Sequence, residues 1–117
     1  MLRYEGQRVY LACGATDMRR GINGLAAMVC EGFELDPFGS SIFAFCNRRR
    51  DRLKLLWWDG DGFWLCMKRL EKGRLRWPEP GEEATMSLSY EELSILLDGT
   101  RVELKLKREE ALGRKVS

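Results

Sequence analysis

Histidine is absent from this 117-residue sequence. That removes the commonest general base and the usual partner of a serine or cysteine nucleophile. Catalysis would have to rest on carboxylates, lysines or tyrosines, and no pair of these is poised by its position, so the chain reads as a non-enzyme. Also missing is any uninterrupted apolar run near the roughly 20 residues of a membrane span. The opening Met1-Leu2-Arg3-Tyr4-Glu5-Gly6 lacks the long apolar region of a signal peptide. A soluble, cytoplasmic protein without membrane contact is the expectation. No two of the four cysteines, Cys13, Cys30, Cys46 and Cys66, form a C-x-x-C pair; the intervals are 17, 16 and 20 residues. A zinc site would need all four thiolates from separate elements, so no metal or cofactor is expected. Each cysteine has apolar neighbours and is read as a small buried hydrophobe.

What is present suffices for one folded unit. Hydrophobic residues make up 44% and charged residues 32%, enough apolar surface to order the chain. We expect a single α+β domain over residues 1–106 and a flexible basic tail over 107–117.

Arg8 to Cys13 is short, β-branched and aromatic and stops at Gly14, which predicts a strand. Thr16 or Asp17 can cap a following helix whose apolar face would be Met18, Ile22, Leu25, Ala26, Val29 and Phe33. Gly21 and Gly24 weaken that helix and are explained by close packing on the sheet. Leu35 to Gly39 reads as a turn. Ser41 to Cys46 is apolar on both faces and therefore a central strand. Asn47 to Asp51 reads as a polar loop, Arg52 to Trp58 as a strand, Asp59-Gly60-Asp61-Gly62 as a hairpin turn rather than a metal loop, and Phe63 to Leu70 as the returning strand. A turn at Glu71-Lys72-Gly73 and a short fourth strand, Arg74 to Trp77, follow. Ser89 and Glu92 form a capping box for a helix burying Leu93, Leu96 and Leu97 and ending at Gly99. Arg101 to Leu106 alternates like an edge strand. The resulting fold is an antiparallel β-meander of four to six strands with two packed α-helices.

Charge is segregated along the chain. Residues 47–77 hold ten Lys or Arg against four acids, while 78–100 hold six acids and no base. The hairpin places Arg52 opposite Arg69, Lys54 opposite Met67, Leu56 opposite Leu65 and Trp58 opposite Phe63. One margin of the sheet should then collect Arg48, Arg49, Arg50, Arg52, Lys54, Lys68, Arg69, Lys72, Arg74 and Arg76, a footprint suited to the phosphates of nucleic acid. The alternative is a solvated face balanced by the acidic stretch. Trp57, Trp58, Phe63 and Trp64 gather at the other end of the hairpin as core, or as a surface for a partner protein.

Three stretches resemble the TnpB accessory proteins of the insertion-sequence 66 family. They are Val9-Tyr10-Leu11-Ala12-Cys13-Gly14 running into Thr16-Asp17-Met18-Arg19-Arg20-Gly21; Asn47-Arg48-Arg49-Arg50-Asp51-Arg52 through Trp58-Asp59-Gly60-Asp61-Gly62-Phe63; and Lys68-Arg69-Leu70-Glu71-Lys72-Gly73 with Arg76-Trp77-Pro78. Arg20 stands where the family pattern has lysine, which keeps the charge. The resemblance implies a part in transposition beside a separate transposase that carries the catalytic acids. It supplies no catalytic residues to carry over. The implied partners are element DNA and the transposase or other element-encoded proteins, with a homo-oligomer left open. The opposing reading is a protein-interaction subunit without DNA contact.

Overall fold

The computed structural model describes residues 7–98. In chain order these form β1 (Arg8–Ala12), α1 (Ile22–Ala27), a π-helical stretch (Met28–Gly32), β2 (Ile42–Cys46), β3 (Arg52–Trp58), β4 (Phe63–Arg69), β5 (Thr85–Ser89) and α2 (Tyr90–Asp98). The strands make one sheet in the order β4-β3-β2-β1-β5. The α+β class and two helices are as expected, but the sheet is mixed. Only β2, β3 and β4 form an antiparallel meander, whereas β1 and β2 run parallel with Val9 beside Ile42. The reason is the helical crossover between them, which carries the chain back along the sheet before β2 begins.

Side-chain alternation divides the core into two layers. Phe43 and Phe45 of β2 and Leu56 of β3 meet Leu25 and Val29 of the first helical segment on one face. On the other, Val9, Leu11, Ile42, Ala44, Leu53 and Trp57 pack with Leu93 of α2 and with Leu75 and Trp77. All five β2 residues are buried, as a strand apolar on both faces requires. Fully burying a Phe or Leu contributes about 1.5–3 kcal/mol, so β2 is the strand on which both layers depend.

Several local expectations need correction. The first helix starts at Ile22 with Gly21 as its uncapped N-terminal residue. Asp17 instead closes a short turn, its Oδ1 accepting the Arg19 amide at 2.9 Å, and Lys54 Nζ holds the segment down by donating to the Met18 and Arg20 carbonyls. Gly21 and Gly24 are not in close contact with the sheet: a Cβ at Gly21 would meet nothing within 4 Å and one at Gly24 only the Arg20 side chain. Residues 74–77 form no strand. Gly73 turns the chain with φ +76°, and residues 70–77 then cross the strand ends. The Leu70 amide donates to Asp51 O, the Leu75 amide to Arg50 O and Trp77 Nε1 to Ala12 O, which buries Leu75 and Trp77 rather than extending the sheet beyond β4. β5, unforeseen, pairs antiparallel with β1 from Arg8–Ser89 to Ala12–Thr85. The stop at Gly99, the strand at 101–106 and the tail at 107–117 lie outside the described residues.

Candidate nucleic-acid interface

At the end of the sheet where β2 hands over to β3, Asn47 folds the arginine loop. Its Nδ2 donates to Asp51 Oδ1 at 2.7 Å while its Oδ1 accepts the amides of Asp51 and Arg52, each at 3.0 Å. Arg50 takes a left-handed conformation, φ 62°, and Arg48 and Arg49 are exposed. The hairpin register is the one expected, with Arg52 opposite Arg69, Lys54 opposite Met67, Leu56 opposite Leu65 and Trp58 opposite Phe63. Because the Leu70 and Leu75 amides bond to loop carbonyls, the segment carrying Lys72, Arg74 and Arg76 reaches the same end of the molecule.

These bases do not share one plane. Alternation puts Arg52, Lys54 and Arg69 on the α1 face and Lys68 on the α2 face. Nor are they equally available. Lys54 is committed to two backbone carbonyls, Arg50 pairs with Glu79 and Arg69 with Glu71 at 2.9 Å, and Arg49 lies 4.0 Å from Asp51. Arg48, Arg52, Lys68, Lys72 and Arg76 are exposed and have no ion pair among the described residues. Glu71 pairs with Arg69 and the Asp51 carboxylate acts on Arg52, so each arginine of the Arg52–Arg69 juxtaposition has an acid near it.

A cleft of about 410 Å³ opens between residues 15–18 and the arginine loop, lined among others by Thr16, Asp17, Asn47, Arg48, Arg49 and Arg52. A second, of about 270 Å³, shares Arg48 and includes Arg50, Trp77 and Glu79. Thr16 is 5% exposed, and its Oγ1 has no hydrogen-bond partner among the described residues. Sequence reasoning missed Thr16 as a wall of this cleft, since it figured there only as a helix cap. The one acid in the larger cleft, Asp17, is gripped by Arg19 through both oxygens, which lowers its pKa to about 2.

The opposite end of the sheet is aromatic. Trp58, Phe63 and Phe38 meet with centroids 5.0 to 5.2 Å apart, and Trp57 stacks on Trp64 at 6.0 Å. Trp57 is buried, 5% exposed, and belongs to the core; Trp58 and Phe63 are half-buried, whereas Trp64 is 48% and Phe38 57% exposed. Phe38 was not foreseen because it follows Pro37 in a turn, where nothing in the sequence marks a side chain as surface aromatic. Asp59 is taken up by the hairpin: it accepts the Asp61 and Gly62 amides and Trp64 Nε1. Among the cysteines only Cys46 is buried, with its thiol pushed up to about 11 by desolvation, while Cys30 and Cys66 are exposed, contrary to their reading as core residues. No helix among the described residues is long and apolar enough to cross a membrane.

The described residues form an α+β domain with a guanidinium-lined end. The family whose sequence profile matches residues 7–107 is described as IS66 Orf2 like protein, and the chain belongs to it. It is similar to two proteins of Sinorhizobium fredii (strain NBRC 101917 / NGR234), both described as uncharacterized. It is 42% identical to y4jC over 104 residues, covering 86% of this chain and 88% of that one. It is also 42% identical to y4hO over 95 residues, covering 81% and 82%. No solved structure matches. Family membership associates the chain with transposition in an accessory, non-catalytic capacity.

Proposed function

We propose that this protein serves transposition in the cytoplasm by binding the phosphate backbone of element DNA at the arginine-lined end of its sheet. The observation that carries this reading is the convergence of Arg48, Arg49 and Arg52 on one cleft, where Arg48 and Arg52 form no salt bridge among the described residues and Asp51 acts on Arg52 only through its field. Guanidinium groups take phosphate oxygens bidentately, and backbone contacts of this kind position a protein on DNA without reading sequence. Lys68, Lys72, Arg74 and Arg76 around the same end extend the field, while Arg50, Lys54 and Arg69 have first claims within the fold.

The test is a salt-titrated binding assay with duplexes of element ends and of random sequence. We expect affinity to fall steeply with salt for both. The double variant Arg48→Ala/Arg52→Ala should flatten the slope of log K against log salt by about 2, roughly one per lost phosphate contact. Affinity indifferent to salt, or a double variant that binds like the parent, overturns the reading. A second reading, in which the protein docks on the transposase or another element-encoded protein, is favoured by the exposed Phe38 and Trp64 at the aromatic end. Capture of purified transposase that is lost in Phe38→Ser but kept in Arg48→Ala/Arg52→Ala would support it.

A further inference from the structure

We infer that two copies of this chain join edge to edge through β4, centred on Cys66, to make one continuous antiparallel sheet. β4 is a sheet margin seven residues long, paired with β3 on one side and with no strand among the described residues on the other. Such an edge displays a row of unmatched amides and carbonyls. Its side chains are unusually open for a strand so apolar: Trp64 is 48% and Met67 60% exposed, and Cys66 is exposed as well. The segment after β4 does not cover this edge, because it turns away at Gly73 and crosses the strand ends instead.

What favours a second copy as the occupant is the order of residues within the strand. A two-fold axis normal to the sheet keeps the same face of both copies on the same side, so directly opposed residues must share a face. Centred on Cys66, that rule sets Leu65 against Met67 of the second copy, Trp64 against its Lys68 and Phe63 against its Arg69. Each pair occurs twice. The apolar residues meet each other, Lys68 meets an aromatic ring, which attracts it, Arg69 faces Phe63 while keeping its Glu71 pair, and no like charges face one another. Shifting the centre to Met67 leaves Phe63 and Trp64 unpaired.

The full chain at tens of micromolar should sediment as a dimer, and Cys66→Lys, which sets lysine against lysine on the axis, should weaken association by about tenfold or more. Circular dichroism and thermal melting of that variant at low concentration report whether the monomer is still folded. Cys66 of the two copies would lie at the Cα spacing of opposed antiparallel residues, about 4.5–5.5 Å, within reach of a disulfide. In a Cys13→Ser/Cys30→Ser background, copper–phenanthroline as the oxidant should therefore link two chains through Cys66, withdrawing two electrons. A full chain that stays monomeric overturns the inference, including the case where its own residues 99–117 cover β4. A dimer indifferent to Cys66→Lys, or one that fails to cross-link, overturns it too.

Discussion

Asn47 organises the arginine loop with a single side chain, satisfying two backbone amides and the Asp51 carboxylate together. Replacing it with alanine leaves those groups in a half-buried site without their partner, at about 1–3 kcal/mol. Urea denaturation of Asn47→Ala should show that loss, and DNA binding at low salt should weaken because Arg48 and Arg49 lose their common support. Asp17 carries a pH signature. Its folded pKa of about 2 lies below the ordinary 3.8, so its contribution to stability is complete above about pH 4 and is lost as the pH falls toward 2. Carboxyl carbon shifts followed by NMR should place its midpoint near 2, and Arg19→Ala, which removes the first cause of the shift, should return it toward 3.8.

The capping box at the start of α2 is reciprocal, with the Ser89 amide donating to Glu92 Oε1 at 2.8 Å and the Glu92 amide to Ser89 Oγ at 3.1 Å. Ser89→Ala should cost about 1 kcal/mol, read as a lower denaturation midpoint with an unchanged slope. This element was legible in the sequence because a cap is a local device: Ser, two residues, then Glu. The β3–β4 register was legible for the same reason, a two-glycine turn fixing which residues face each other. The doubly apolar β2 could likewise be placed at the centre from its own composition. Elements decided at long range were not legible. Nothing within Arg8 to Ala12 states that its neighbours will be a parallel β2 and a β5 more than 70 residues away, and Thr85–Ser89 holds only two apolar residues to advertise a strand. Leu75 and Trp77 were recognised as apolar, but alternation cannot distinguish a strand from a strap that buries the same side chains by crossing strand ends. Of the proposed interface, the arginines and their loop were legible, whereas Thr16, Phe38 and the carboxylates that claim Arg50 and Arg69 emerged only from the fold.

Over the whole molecule, opposite charges lie close to one another without cancelling. Glu79 reaches Arg50, and Glu82 and Glu83 are exposed in the loop that follows, so the acidic segment tempers the field of the arginine-rich end. The triple variant Glu79→Gln/Glu82→Gln/Glu83→Gln should raise DNA affinity at about 50 mM salt, and the gain should shrink toward 300 mM as the Debye length contracts from roughly 14 to 6 Å. A gain that persists at high salt would point to a rearranged loop instead of an altered field.

The pairing of β5 with β1 also bears on how the protein is made. While the ribosome is still extending the chain, the outer edge of β1 and the side of the sheet that receives Leu93 stand uncovered. Neither can close until residues 85–93 have cleared the exit tunnel. Nascent chains therefore carry an open strand and bare Val9 and Leu11 through most of their synthesis. A stop codon before Thr85 would release a product that lacks one margin of its sheet and the helix covering half its core, a ready target for proteolysis.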